Sequence, residues 1–537
     1  MNPAPARAKA VSPARLAVLL AIVFAILAGS AMLHTSTTFD EIVFMCVGAR
    51  GFHLGDFSLA GDHPRLPQYL YGLPLYLSRV AYPPESVLGM DMFPRYAYSR
   101  MLLWGMGNPA EHVIMLARLV GLAFGTATVA SVFLLARRHM AQGAALFAAG
   151  LVAFLPDMLA HSGVAYNDIP LALGFLVSLY AIDRAARDPS PRRVVLAALA
   201  FAFTVCVKYS GMILGPALLV LVALEAIAGR WRDDRWRRGI AIAVPIFVVV
   251  AWAAIALVYL GDWTLAEFRD GLRRSLAATA GRYGNLLGER YEGGRWYFFP
   301  VAFLLKTPAA LHVLALLALV AGIAALRRMP WREIAQHPAR APAVGLALFV
   351  AGLLTSSMNI GFRHALPVLA LICILVAQGV EPLWRRGRPA LRFALGILFA
   401  AFVASTSMHY PYYLAYLSEY AAGRPLYATL VDSSTDWGEG LVALRKFMRE
   451  RGVDSVALGY FGSAPPDGYG IRYYPLPSYY QLPQAPPGMA APRYAVVSAT
   501  LLAGNYVAGD PYQQLRGVKP VAVLADTLYV FDMQARR

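Results

Sequence analysis

Asp40 and Glu41 stand side by side in "TTFDEIVF", a few residues after an apolar run from Leu16 to Leu33. A carboxylate at such a helix end can take a proton from an attacking hydroxyl, work that contributes about 10²–10⁴-fold when the geometry is right. Other ionisable residues sit in similar settings: His63 and Arg65 in "DHPRLPQYL", Asp168 in "AYNDIP", Lys208 in "VKYSG", Lys306 in "LLKTP", and Arg363 with His364 in "NIGFRH". Taken singly, each Lys or Arg could extend its charged end to the membrane interface or pair with a nearby acid. As a set they suggest more, because unpaired buried charge costs several kcal/mol and ionisable groups near a membrane segment are functional candidates. Cations can hold negative charge as it grows on a departing phosphate. Phosphate leaves without a general acid, so one base and a cationic clamp suffice, unlike the two carboxylates of hydrolytic enzymes.

The elements that must position these residues are membrane helices. Of 537 residues, 58% are hydrophobic and only 15% charged, with a mean hydropathy of +0.52, too apolar for a soluble protein. The net charge of +17 is spread in short clusters between apolar runs, the pattern of cytoplasmic loops rather than of nucleic-acid binding. Cys46, Cys206 and Cys373 are scattered and offer neither a disulfide framework nor a metal-ligand spacing. A span needs about 20 apolar residues, and about eleven segments approach that. They are Leu16–Leu33, His112–Ala136, Ala144–Ala160, Ala165–Ile182, Val194–Val207, Met212–Ala228, Ile240–Leu260, Phe299–Leu326, Pro342–Ser356, Ala365–Val380 and Leu391–Ser407. The first exceeds the ~7–15 apolar residues of a signal peptide and is expected to be an uncleaved helix.

Arg7, Lys9 and Arg15 precede the first segment, and later basic clusters begin at Arg137, Asp183, Arg230, Arg327 and Trp384. With eleven crossings all fall on the side of the N-terminus, which the positive-inside rule makes cytoplasmic. The candidate residues then gather in one layer at the outer ends of the helices. Two long outer regions are expected, from His34 to about Glu111 and from Gly261 to Tyr297. The chain divides into a transmembrane domain, 1–408, and an extracytoplasmic α/β domain, 409–537. In the latter "LVALRKFMRERG" has helical period with a glycine stop, while "SVALGYFG", "RYAVVSAT" and "TLYVFDM" read as strands. In "VDSSTDWGEGL" the EF-hand spacing is absent, and Asp436 with Glu439 three residues on has the form of a capping box, an acceptor or metal role being the alternative. The tyrosines and prolines of "GIRYYPLPSYYQLPQAPP" could stack on sugars or form a surface loop.

The motifs "FDEIVFMCVGARGFHLGDFSLAGDHPRLPQYLYGLPLYL", "NDIPLALGFL", "VKYSGMILGP", "YEGGRWYFFPVAFLLKTP", "NIGFRHALPVLAL" and "LVDSSTDWGEGLVAL" cover nearly the whole chain in order. In them it resembles a GT-C fold glycosyltransferase, specifically a bacterial relative of the protein O-mannosyltransferases of glycosyltransferase family 39. Arg65 departs from the pattern, standing where many relatives carry a second proline. The resemblance implies a polytopic α-helical membrane enzyme, in the bacterial inner membrane, that uses a polyprenyl-phosphate-linked sugar donor. It puts the catalytic base on Asp40. Neighbouring helical residues point about 100° apart, so Glu41, the second residue of the catalytic pair, cannot face the same hydroxyl. It is expected either to position the acceptor or to support the groups that touch substrate. Asp168 matches a family position that orients the acceptor or a cation. Lys208, Lys306 and Arg363 are the candidates for the donor phosphate, with His63, Arg65 and His364 beside them.

Protein Ser/Thr, a glycolipid and a cell-wall glycan all fit as acceptors. No His/Cys cluster implies zinc, whereas Asp40 and Glu41 could share a hard divalent cation. A transporter or flippase of a lipid-linked substrate would also want outward cations and an apolar groove. Such proteins often carry inverted repeats and mid-membrane charges, and neither stands out here.

Overall fold

The computed structural model describes residues 12–90, 93–279, 282–480 and 492–534. Arg7, Lys9 and the 481–487 part of the tyrosine- and proline-rich segment lie outside the described residues. Helix α1 (Pro13–Ala31) begins where Ser12 accepts the Arg15 N–H and Pro13 supplies a helical φ without needing a donor. The first outer region folds into α2 (Glu41–Leu54), α3 (Leu66–Leu77) and α4 (Pro94–Arg100). Next come α5 (Ala110–Ala136), α6 (Gln142–Ala153), α7 (Pro156–Ser162), α8 (Asp168–Arg187) and α9 (Pro191–Val207). After α10 (Leu214–Ile227) and α11 (Asp234–Val258), the second long region holds α12 (Ala266–Ala277) and a hairpin, β1 (Tyr283–Leu286) with β2 (Glu289–Glu292). The helical part closes with α13 (Phe298–Lys306), α14 (Ala309–Leu326), α15 (Trp331–Ala335), α16 (Arg340–Leu354), α17 (Leu366–Arg386) and α18 (Pro389–Ser407).

Among the described residues eight helical stretches are long and apolar enough to cross a membrane, nine if α6 and α7 form one span bent by 64°. The chain is a mostly helical, multi-pass membrane protein. The bend falls before Pro156, where the residue preceding a proline is pushed out of the helical region. Besides that bent segment, three of the eleven expected segments differ for local reasons. Val194–Val207 and Pro342–Ser356 are helical but shorter than those eight, α9 having 17 residues and α16 having 15. Phe299–Leu326 is two helices, because Pro308 interrupts it. At one end of the bundle Arg340, 4% exposed, pairs with Asp183 and Glu225 at 2.6 Å each, joining α8, α10 and α16. Asp168 opens the same helix that carries Asp183, fifteen residues away, or about 22 Å along the axis. The basic segments at Asp183 and Arg327 therefore lie at one end and the Asp168 group at the other.

In the first outer region α2 and α3 pack backbone to backbone. A Cβ on Gly48 would lie 2.0 Å from the Gln68 carbonyl oxygen, so only glycine permits this approach. The tail forms α19 (Leu441–Arg451), stopped by Gly452 in the left-handed region, a short helix α20 (Ala499–Leu502), and a five-stranded sheet. Its strands are β3 (Val456–Gly459), β4 (Tyr473–Pro475), β5 (Tyr494–Ser498), β6 (Ala522–Leu524) and β7 (Leu528–Asp532), in the order β4-β3-β5-β7-β6. β3 runs parallel to β4 and β5, while β7 is antiparallel to β5 and β6. This sheet does not hang free of the helices. Phe39, Ile42, Tyr96 and Val164 share one buried cluster with Trp437, Phe461, Val497 and Tyr529 of the tail.

Candidate active site

Asp40 occupies the N-cap position of α2, where an aspartate usually accepts an N–H of its own first turn. Here it makes no such bond. Glu41 does the local work instead, its Oε2 accepting the Thr38 N–H at 3.0 Å. Asp40 is left free to face outward, with its side chain 26% exposed. Its Oδ1 accepts the Tyr96 hydroxyl at 2.6 Å and its Oδ2 lies 3.4 Å from Arg363 Nη2.

Arg363 joins two carboxylates. Its Nη1 lies 3.6 Å from Asp168 Oδ2, and Asp168 Oδ1 accepts a hydrogen bond from Lys208 Nζ. Lys208 in turn lies 3.2 Å from His364 Nδ1. Asp40, Arg363, Asp168, Lys208 and His364, from four separate parts of the chain, thus form one connected group. The guanidinium sits 4.0 Å from the ring centre of Trp437 and 4.7 Å from that of Tyr166, faces that attract a cation. His63 lies at the edge of this group, its ring against Phe44 and beside Asp62. Burial holds His63 below its ordinary value. Burial alone would raise Asp62, but His63 and Arg95 outweigh it and hold that carboxyl at about 2.

Three expected site residues lie elsewhere. Glu41 is fully buried, with Arg118 Nε and Nη2 at 2.7 and 2.9 Å and the Ala165 N–H at 3.0 Å. Both oxygens are occupied, so Glu41 cannot meet an acceptor and the catalytic place expected for it is corrected to a structural one. Lys306 is likewise buried, and its ammonium donates to the carbonyls of Leu414 (2.7 Å) and Tyr416 (3.1 Å) and pairs with Asp157 at 3.5 Å. An ammonium has three donors, so none remains for a phosphate. Arg65 pairs with Glu267 of α12 and lies over Tyr259 and Phe57, with no link to Asp40. The capping box is also absent. α19 starts at Leu441, Asp436 Oδ2 accepts the Thr500 N–H, and Glu439 Oε2 accepts the Trp437 N–H.

Sequence reasoning overlooked Tyr96, Tyr166 and Trp437, whose roles arise from contacts between distant segments. It also overlooked Arg118 and Asp157, although each stands inside an apolar run, a signal that could have found them. Among the described residues no group of three or more His, Cys, Asp or Glu side chains could hold a metal ion. Asp40 and Glu41 turn to different partners, Tyr96 and Arg363 for the first and Arg118 for the second.

Residues 104–253, from the segment before α5 into α11, match the family described as dolichyl-phosphate-mannose-protein mannosyltransferase. The matched stretch is similar to that family and covers less than half of the chain. The match contains Asp168 and Lys208 but neither Asp40 nor Arg363. No curated protein matches. Among solved structures, ArnT from Cupriavidus metallidurans bound to undecaprenyl phosphate is similar over 96% of this chain and 97% of its own, at 15% identity and a TM-score of 0.49. The apo state of ArnT gives 14% identity and 0.49 over the same shares. The S. cerevisiae protein O-mannosyltransferase Pmt1-Pmt2 complex bound to the sugar donor covers 51% of this chain and 36% of its own, at 16% identity and 0.30.

Proposed function

We propose that the protein transfers a sugar from a polyprenyl-phosphate-linked donor to a hydroxyl acceptor at the extracytoplasmic face of the membrane. The observation that carries this reading is a partly exposed carboxylate, Asp40, joined through Arg363 to Asp168 and Lys208. The matched family's description names a lipid-phosphate sugar as its donor, which is the chemistry such a group suits. Asp40 accepts the proton of the acceptor hydroxyl as that oxygen bonds to the anomeric carbon. The bond from that carbon to the phosphate oxygen breaks, and the electron pair leaves on the polyprenyl phosphate. The leaving group gains one negative charge, which Lys208 and Arg363 stabilise where water is largely excluded. Direct displacement inverts the anomeric carbon.

Lys208 is the first residue assigned to the donor phosphate, because its side chain retains 16% exposure whereas Lys306 has none. Asp168 holds Lys208 and Arg363 in place between turnovers. The test is release of undecaprenyl phosphate from undecaprenyl-phosphate-linked hexoses by the purified protein in nanodiscs. Asp40→Asn keeps the side-chain size and removes the base, so kcat is expected to fall by about 10²-fold or more with donor binding retained. Near-normal turnover in Asp40→Asn would falsify the assignment. Passage of intact lipid-linked sugar across a proteoliposome, with no phosphate released, identifies a transporter instead.

A further inference from the structure

The segment Asp432–Glu439 lies in the tail, far along the chain from Asp40 and Arg363, yet it touches the backbone just before each of them. On one side, the Phe39 N–H donates to the Trp437 carbonyl at 2.7 Å and the Ser36 N–H to the Glu439 carbonyl at 2.9 Å. The Ser36 hydroxyl adds a bond to the Gly438 carbonyl at 3.0 Å and accepts the Leu441 N–H at 3.0 Å. On the other side, Ser433 Oγ donates to the Ile360 carbonyl at 3.1 Å, and Ser434 Oγ accepts the Phe362 N–H at 3.1 Å. Gly361 fits tightly between, since a Cβ there would lie 2.2 Å from Ser433 Oγ. Gly438 has φ +93°, and a Cβ on it would lie 2.7 Å from the Phe461 carbonyl. Only glycine turns the chain there so that three successive carbonyls face residues 36–39.

Between these two seams stands Trp437, 2% exposed. Its backbone N–H donates to Glu439 Oε2, its ring stands at 87° to that of Tyr166, and its face lies against the Arg363 guanidinium. We propose that the Asp432–Glu439 loop is a clamp that sets the placement of Arg363 relative to Asp40, with Trp437 as the positioning residue. The proposal rests on the reading of Asp40 and Arg363 as parts of the reaction site. It makes the tail a working part of that site rather than an appended domain. The seams hold the backbone before each residue, and the indole face restricts a guanidinium that could otherwise swing between Asp40 and Asp168.

The test uses the full-length protein in nanodiscs, with Trp437→Leu, Trp437→Phe and Ser434→Ala compared at matched Tm. The first readout is a cryo-EM structure of Trp437→Leu, in which the Arg363 guanidinium is expected to have left Asp40. The second is turnover with undecaprenyl-phosphate-linked mannose as the donor probe. Trp437→Leu is expected to lose about 10–10²-fold, mainly in kcat, because misplacement of about 1 Å is enough for that. Trp437→Phe, which keeps an aromatic face, recovers most of the loss, and Ser434→Ala falls between. A guanidinium that stays at Asp40 in Trp437→Leu, or equal kcat in the Leu and Phe variants, overturns the clamp. If the wild type releases no undecaprenyl phosphate from this probe, transfer of mannose from that donor fails and the guanidinium position alone decides the clamp.

Discussion

At the scale of single residues, adjacent acids have opposite fates because one helical step rotates a side chain by about 100°. Asp40 faces Tyr96 and Arg363, whereas Glu41 turns inward to Arg118. Removing one partner of a buried ion pair leaves the other charge uncompensated, at a cost of about 3–5 kcal/mol. Arg118→Met is therefore expected to lower Tm sharply in detergent, and combining it with Glu41→Gln to restore part of the loss. An unchanged Tm in the single variant contradicts a structural role for the pair. Lys208→Met is expected to raise donor KM and lower kcat while the protein stays monodisperse. Wild-type kinetics there reduce Lys208 to a partner of Asp168.

At the scale of elements, the Asp432–Glu439 loop carries three buried carboxyl groups. Burial pushes Asp432 up to about 6; burial, with the nearby Asp432 carboxylate, raises Asp436, and burial, with Asp436, raises Glu439. Arg363 pulls Asp432 down and Lys306 pulls Glu439 down, without overcoming burial. An acid that holds its proton more tightly when folded stabilises the fold below its ordinary value, here 3.8 for the aspartates and 4.5 for Glu439. That contribution is lost as pH rises through the higher folded value. Tm is therefore expected to fall as pH rises from about 4 through about 6 and above. Asp436→Asn, which cannot ionise, is expected to flatten that slope. A Tm that rises over this window contradicts the burial of neutral carboxyl groups. None of this was visible in "VDSSTDWGEGL" as a string, which looks like a helix cap because cap spacing is local while the real partners, Thr500, Ser36 and Ile360, are remote.

At the scale of the whole molecule, the Arg340–Asp183–Glu225 group and the Asp40–Arg363–Asp168 group lie at opposite ends of the bundle. The basic loops accompany the first group, so the proposed orientation has the second, and the tail packed on it, outside the cytoplasm. A reporter active only outside the cytoplasm, fused to the C-terminus, is expected to be active. Activity of a cytoplasmic reporter at the same position overturns that orientation.

Much of the helical layout was legible in the sequence, because a segment that must satisfy its own backbone hydrogen bonds in lipid has to be long, apolar and helical wherever it occurs. The same rule exposed Asp40, Asp168, Lys208 and Arg363, since charge at a helix end in such a chain calls for a partner. The strands at Val456, Tyr494 and Leu528 and the glycine stop at Gly452 were legible for a similar reason, as period and turn chemistry are local. Partner choice was not. Lys306 and Lys208 read alike in sequence, yet the first spends its donors on Leu414, Tyr416 and Asp157 while the second keeps an edge toward solvent. Which cation keeps an exposed edge, which acid is buried, and which tryptophan lies against Arg363 depend on contacts between segments remote in sequence. Only the folded chain brings those segments together, so tertiary structure alone decides them.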